Sequence, residues 1–164
     1  MSDDAAVSLE SRARDLLERA YRLHLEGAIG PAITSYRSSL TLAPTALGHT
    51  LLAAALARDG RVDEAIAECR EALRKDPDFG NAWSDLGAYY MEKGEGDRAA
   101  KCLARARGKT HFERAHTVHE NLGRAHWRQG LFMRALDELR RAVLLEPRNL
   151  QAKKAIREIT RNFN

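Results

Sequence analysis

The sequence predicts an all-α fold built from repeated helix pairs, and three observations carry this prediction. Alanine and leucine dominate a hydrophobic fraction of 44%, whereas aromatic residues make up only 6%, a composition that favours helices packed at close range. The segments between glycine and proline are too long and too periodic for strands. The third observation is a spacing of about 34 residues that recurs along the chain and is typical of a helix-turn-helix repeat.

Three residue types keep this one period. The glycines expected to end the first helix of each pair are separated by 33, 34 and 36 residues: Gly27, Gly60, Gly94 and Gly130. Alanines expected at the helix crossings keep the same separations: Ala32, Ala65, Ala99 and Ala135. Prolines that stop the second helix close three of the units: Pro44, Pro77 and Pro147. Since one helix pair cannot bury its apolar face alone, the units are expected to stack.

The third unit carries the motif that identifies the repeat. It reads Trp-x-x-Leu-Gly-x-x-Tyr, at Trp83, Leu86, Gly87 and Tyr90, and Asp76-Pro77-Asp78 forms the junction ahead of it. This motif resembles the tetratricopeptide repeat (TPR). The resemblance implies a right-handed α-solenoid of stacked antiparallel helix pairs, the TPR superhelix. It covers residues 9–148, with four repeats at about 13–45, 46–79, 80–115 and 116–148.

The first repeat is less regular than the third. Residues 1–8 are small, polar and acidic, and we expect them to be disordered or to extend the first helix weakly. From Leu9 the apolar pattern begins, and Gly27 ends the helix. A second helix is predicted from about Ile29, with Pro31 tolerated in its first turn.

The later repeats follow the same plan, with large residues around each helix crossing: Leu52 and Leu56, then Trp83, Leu86 and Tyr90, then Leu122 and His126. Between repeats three and four, Gly108-Lys109-Thr110-His111 replaces the proline junction and two residues are added, so the step between these repeats is expected to be irregular. After Pro147, Asn149 can cap a last helix. The resemblance implies that residues 149–164 cover the final repeat; the alternative is a basic amphipathic helix for a membrane or nucleic acid.

The sequence gives little sign of a catalytic site. No glycine-rich phosphate loop, nucleophile elbow or Cys-x-x-Cys occurs, so we predict no enzyme activity and no cofactor. Cys69 and Cys102 are expected to be buried thiols rather than a disulfide or redox pair. Met1-Ser2-Asp3-Asp4 does not begin a signal peptide, and no apolar run approaches the roughly 18 residues of a membrane span, which predicts a cytoplasmic protein.

Four histidines fall within sixteen residues and raise the question of a metal site: His111, His116, His119 and His126. His119 and His126 lie two turns apart on one helical face. They also occupy the positions of Trp83 and Tyr90 in the third repeat. We therefore favour hydrogen-bonded packing over metal binding or pH sensing, and predict no metal.

The resemblance places a binding site in a concave groove lined by the first helices of successive repeats. The lining positions are spaced three and four residues apart and so share one face of each helix. They are Arg14, Leu17, Tyr21 and His24; Leu47, Thr50, Ala54 and Ala57; Asn81, Ser84, Ala88 and Met91; Thr117, Glu120, Arg124 and Trp127. Aromatic and arginine residues at exposed positions are enriched in binding hot spots. The alternative is that Leu17, Leu47 and Trp127 pack inside the fold.

The partner predicted from these residues is another protein, held as a peptide or helix with apolar anchors. Tyr21, Leu17, Arg124 and Trp127 are the predicted anchors. One subgroup of similar proteins binds a chaperone carboxylate tail through Lys, Asn and Arg. The corresponding positions here hold Leu17, Tyr21, Leu51, Asn81 and Asp85, or, one repeat onward, Thr50, Ala54, Asp85, Thr117 and Asn121. Neither set supplies that clamp, so no chaperone tail is expected.

Two alternatives use other surfaces. Residues 105–164 hold 14 Lys/Arg against 6 Asp/Glu, so the C-terminal third is basic and could attract nucleic acid or another anionic surface. The residues concerned are Arg140, Arg141, Lys153, Lys154, Arg157 and Arg161. We consider nucleic-acid binding the weaker reading, because few aromatics lie among these cations. The apolar end of the groove could instead form a homodimer.

Overall fold

The computed structural model describes residues 3–109 and 115–162, without the side chains of residues 3–7. Within these ranges the chain forms helices and no strands. The helices are α1 (Asp3–Leu25), α2 (Ile29–Leu42), α3 (Ala46–Arg58), α4 (Val62–Lys75), α5 (Gly80–Glu92), α6 (Gly96–Ala106), α7 (Ala115–Arg128), α8 (Phe132–Leu145) and α9 (Leu150–Arg161). They divide into two units, Met1–Pro77 and Asp78–Asn164.

The first helix is longer than the apolar pattern alone predicted. It begins at Asp3, so residues 3–8 extend α1 rather than form a disordered segment. The sequence favours this outcome, because acidic residues suit the first turn of a helix and Ala5 and Ala6 have high helix propensity. Met1 and Ser2 lie outside the described residues.

In the first unit, α1 packs on α2 and α3 packs on α4. The crossing alanines Ala32 and Ala65 are fully buried, as the repeat predicted. Tyr36 and Leu56 are also fully buried and fill the space around these crossings. Thr45 caps α3 by accepting a hydrogen bond from the backbone N–H of Gly48 at 3.0 Å.

The turn between the helices of each pair uses a left-handed glycine. Gly27, Gly60, Gly94 and Gly130 have φ values of 74–82°, and no other described residue has a positive φ. A residue without Cβ adopts this conformation at little cost, which is why the turn glycines keep the period of the repeat. The predicted role of these glycines is confirmed.

The second unit contains α5 packed on α6, α7 packed on α8, and α9 packed on α8. Asn149 caps α9 by accepting from the backbone N–H of Ala152 at 2.9 Å, as predicted. The apolar face of α9 joins one buried cluster with α8: Ala135, Leu136, Leu139, Ala142, Ala152, Ala155 and Ile159. Since this cluster covers the apolar face of α9, that face is not exposed for a membrane.

Three further sequence predictions concern single features. Cys69 and Cys102 are buried thiols, as expected. Among the described helices none is long and apolar enough to cross a membrane. At the irregular junction, Lys109 forms an ion pair with Asp78, while Thr110 and His111 lie outside the described residues.

A buried tyrosine in the first unit predicts a loss of stability in alkaline solution. The Tyr36 side chain is fully buried, and its hydroxyl lies 3.5 Å from Nδ1 of His24. Burial raises the pKa of Tyr36 to about 12, with a smaller contribution from Tyr21. Because the unfolded chain then loses this proton at lower pH than the folded chain, the stabilisation is complete below pH 10 and falls as pH rises towards 12.

We expect the wild type to lose about 2 kcal/mol of unfolding free energy between pH 9 and pH 11.5 through this group. Urea unfolding of wild type and Tyr36→Phe at both pH values measures the effect, since the variant lacks the titrating hydroxyl. The stability difference between the two proteins should shift by that amount in favour of Tyr36→Phe. An unchanged difference would contradict the prediction.

Candidate functional site

The first unit carries an apolar surface cavity of about 570 Å³, which we call the α1–α3 groove. Its walls come from two helices: Leu17, Glu18, Tyr21 and Arg22 of α1, and Leu47 and Leu51 of α3. On α1 the spacing of four residues places Leu17 above Tyr21 on the same face. Tyr21 is 48% exposed and Leu47 is 47% exposed, so both present apolar area to solvent.

The chemistry of the α1–α3 groove suits an apolar side chain. Leu17 and Leu51 are half-buried and form its base, whereas Glu18 and Arg22 are exposed at its margin. One acidic and one basic side chain leave the margin without a net charge. A ligand would therefore gain mainly by removing the apolar area of Tyr21 and Leu47 from water.

The predicted lining residues fall into three groups. Arg14, Tyr21, Leu47 and Arg124 are exposed. Half-buried residues form the largest group: Leu17, His24, Ala54, Ala57, Asn81, Ala88, Thr117, Glu120 and Trp127. Thr50, Ser84 and Met91 are buried, with exposures of 4%, 2% and 5%, so they offer a ligand little surface.

The buried residues have a physical explanation. Neighbouring first helices pack side by side, α1 on α3 and α5 on α7, so one edge of each predicted stripe turns into a helix interface. Met91 lies at such an edge, where its carbonyl accepts a hydrogen bond from Arg128 of α7 at 2.5 Å. The Thr50 hydroxyl donates to the carbonyl of Ala46 at 2.8 Å and is thereby satisfied within its own helix.

The predicted far end of the groove lies in the second unit and is more polar. Arg124 and Trp127 line a cavity of about 240 Å³ with Glu120 of α7 and four residues of α9: Gln151, Lys154, Ala155 and Glu158. Trp127 also packs against the buried α8–α9 cluster. Trp127 is therefore partly packed inside the fold, which was the alternative to ligand binding considered for it from the sequence.

The histidines are placed by neighbouring acids. Nδ1 of His119 lies 2.6 Å from Oε2 of Glu138, and the same contact joins His49 and Glu68 at 2.7 Å. A carboxylate only accepts hydrogen bonds, so Nδ1 donates in both pairs. Hydrogen-bonded packing of His119 is confirmed. Sequence reasoning missed the acids, although both pairs have the same 19-residue separation in repeats two and four.

The other histidines of the cluster behave differently. His126 is half-buried, but its Nδ1 is buried and has no hydrogen-bond partner, so the expectation of hydrogen-bonded packing is wrong for that atom. Nε2 of His116 lies 3.2 Å from the Thr117 hydroxyl, and His111 lies outside the described residues. The described side chains contain no group of three or more His, Cys, Asp or Glu that could hold a metal ion.

The basic residues of the C-terminal third form a solvated surface. All six cations named from the sequence are exposed: Arg140, Arg141, Lys153, Lys154, Arg157 and Arg161. Two of them have acidic neighbours, since Lys154 lies 3.9 Å from Glu158 and Arg141 lies 3.7 Å from Glu138. The charge that could attract a polyanion is therefore partly compensated.

Comparison with known sequences identifies the repeat independently. Two tetratricopeptide repeat family models match, one at residues 11–78 and the other at residues 56–122. The TPR repeat-containing thioredoxin TTL4 of Arabidopsis thaliana is 34% identical over 82 residues, 49% of this chain and 12% of that protein. The inactive TPR repeat-containing thioredoxin TTL3 of the same plant is 31% identical over 80 residues, 48% of this chain and again 12% of its own length. The match thus spans about one eighth of these curated relatives.

Comparison with solved structures gives the fold. Pseudomonas aeruginosa pilF superposes with a TM-score of 0.87 at 20% identity, over 93% of this chain and 70% of that chain. MamA gives 0.75 at 18% identity, over 87% and 83%. The first TPR of Spaghetti (RPAP3), bound to the HSP90 peptide SRMEEVD, gives 0.68 at 19% identity, over 72% and 94%. These matches confirm the predicted all-α solenoid of helix pairs.

Proposed function

Because the chain belongs to the tetratricopeptide repeat family, we propose that it is a protein-interaction adaptor whose α1–α3 groove holds a segment of another protein. The observation that carries this proposal is the half-exposure of Tyr21 and Leu47 beside the half-buried Leu17. On a merely solvated helix face these positions would be polar or charged. Family membership also supports a scaffold without enzyme activity.

The groove can bind at low ordering cost. Its walls are two packed helices, so few protein side chains must be immobilised when a ligand enters. Covering the remaining exposed area of Tyr21 and Leu47 is worth roughly 1 kcal/mol for each side chain. We propose Leu17, Tyr21 and Leu47 as the principal anchors, with Arg124 as a separate contact in the second unit. We propose a smaller contribution from Trp127, since it packs against the buried α8–α9 cluster.

The proposed ligand is an apolar segment rather than an acidic chaperone tail. The Spaghetti domain is bound to the HSP90 peptide SRMEEVD. At the first-repeat positions that the resemblance assigns to the carboxylate clamp, this chain has Leu17 and Tyr21, which offer no positive charge. Glu18 and Arg22 leave the margin of the groove without a net charge that would attract a carboxylate. The cytoplasm stays the predicted compartment.

The proposal is tested by capture followed by a direct affinity measurement. Immobilised wild type and Tyr21→Asp are exposed to lysate of the source cell, and proteins retained by the wild type alone are identified by mass spectrometry. Each candidate is then produced and titrated calorimetrically against both proteins. Tyr21→Asp should weaken binding at least about tenfold, because a carboxylate replaces a central apolar anchor.

Leu25→Asp is the matched control, since Leu25 is a 66% exposed residue of the same helix that does not line the groove. It should change the affinity less than about twofold. Equal binding by wild type and Tyr21→Asp would overturn the groove as the site. SRMEEVD serves as a second probe, and micromolar binding of that peptide would refute the apolar-ligand proposal. If the mass of the wild type doubles with rising concentration and the mass of Tyr21→Asp does not, the groove is a homodimer interface instead.

A further inference from the structure

A second cavity lies in the other unit, between α6, α7 and α8, and shares no residue with the α1–α3 groove. Its volume is about 330 Å³, and we call it the α6–α8 cavity. Ala100 and Ala104 form its wall on α6, and Leu122 contributes from α7. Two alanines one turn apart leave space beside α6 that longer side chains would fill.

The remaining lining is rich in charge. Arginines come from two helices, Arg107 next to the end of α6 and Arg134 and Arg141 of α8, while Asp137 and Glu138 supply the acids. Glu138 is already engaged, since it accepts from His119 and from Arg107 at 2.6 and 3.0 Å and lies 3.7 Å from Arg141. Arg134 is exposed and has no ion-pair partner among the described residues. The cavity therefore keeps a net positive charge after its internal pairs are formed.

A histidine that lines this cavity has a buried ring nitrogen without the partner that a buried polar atom normally has. Nδ1 of His126 is buried and makes no hydrogen bond, although His126 lines the cavity. An unpaired buried polar atom destabilises the fold, because it has lost its hydrogen bonds to water without gaining others. A neutral imidazole can carry its proton on either nitrogen, so the ring can donate to an oxygen atom of a ligand.

The third repeat shows which feature is particular to this site. Its residue equivalent to His126 is Tyr90, and the Arg98 guanidinium lies 5.7 Å from the centre of that ring. Arg134 occupies the position of Arg98 in the fourth repeat. Replacing the tyrosine by histidine adds a hydrogen-bonding nitrogen to a site whose lining also includes Arg134.

We propose that the α6–α8 cavity binds an anionic group, a phosphate or a carboxylate, carried on a small framework. Guanidinium groups recognise the oxygens of both anions through paired N–H donors. Arg134 would hold the charge, with Arg141 as a second cation that is shared with Glu138 at 3.7 Å. The His126 imidazole would donate to one oxygen, and the alanine wall would contact the attached carbon atoms. This site is separate from the proposed protein-binding groove, so failure of either proposal leaves the other intact.

The test follows the histidine side chains by NMR in the full chain at constant pH and ionic strength. The probes are inorganic phosphate, N-acetyl-phosphoserine amide and N-acetyl-glutamate amide. At least one probe should shift the His126 imidazole signals saturably, with His126→Gln providing the assignment. Tighter binding of inorganic phosphate than of both amides identifies a free anion as the ligand, whereas tighter binding of an amide identifies a side chain of a protein segment.

Matched variants separate this site from diffuse surface charge. Arg134→Gln should raise the dissociation constant at least about fivefold, whereas Arg140→Gln, on the same helix but outside the cavity, should change it less than twofold. Ala104→Leu fills the cavity without altering charge and should also weaken binding. Absence of a saturable shift, equal effects of the two arginine variants, or full binding by Ala104→Leu would each overturn the proposal.

Discussion

Replacing Glu138 by cysteine is expected to lower the unfolding free energy by about 3 kcal/mol, because it removes one partner of a buried polar pair. The Glu138 side chain is only 9% exposed, and that of His119 is 13% exposed. Loss of the carboxylate leaves Nδ1 of His119 without its acceptor and removes the acceptor of Arg107. Urea unfolding measures the change. The neighbouring exposed Asp137→Cys is the control and should stay within about 0.5 kcal/mol of wild type.

The repeat itself supplies a rescue for this variant. In the third repeat the positions of His119 and Glu138 hold Trp83 and Cys102, and the Arg105 guanidinium lies 4.7 Å from the centre of the Trp83 ring. Arg141 occupies the position of Arg105 in the fourth repeat. The double variant His119→Trp/Glu138→Cys should therefore regain most of the lost stability. If each change lowers the unfolding free energy and the two losses add in the double variant, the Trp–Cys pair of the third repeat cannot replace the His119–Glu138 pair.

Replacing Gly123 by alanine is expected to destabilise the protein by up to about 3 kcal/mol, although alanine is the better helix former. A Cβ at Gly123 would lie 2.7 Å from Cγ of Leu139 and 3.1 Å from the carbonyl oxygen of Ala135. The second atom belongs to the backbone, so α7 and α8 would have to separate. Loss of dispersion contacts across that interface adds to the strain.

Gly96→Ala provides the matched control within the same unit. Gly96 is also helical, but its Cβ would meet only the Gln129 side chain at an ordinary distance of 3.7 Å. This variant should be neutral or stabilising by up to about 1 kcal/mol, since it restricts the unfolded chain. Thermal and urea unfolding of both variants test the contrast. Equal stabilisation by the two substitutions would show that the helix crossing accommodates a methyl group.

The repeat architecture followed from local features of the sequence. The turn glycines, the crossing alanines and the Asn149 cap each act through the conformation or bulk of one residue, so their spacing carries the information directly. The apolar patch of Leu17, Tyr21 and Leu47 was also visible, because the register of the repeat assigns a face to every residue. These features depend on neighbours that are close along the chain.

Only the tertiary structure decided which predicted surface residues are accessible. Thr50, Ser84 and Met91 share the predicted stripe with Tyr21 but are buried, because a neighbouring helix covers one edge of that stripe. The acids that hold His49 and His119 are 19 residues away and come from the partner helix of each pair.

The α6–α8 cavity likewise arises where side chains from three helices meet. Helical periodicity fixes the direction of a side chain relative to its own helix. What that side chain touches depends on the spacing of the next helix and on the size of the residues across the interface, and the sequence pattern specifies neither.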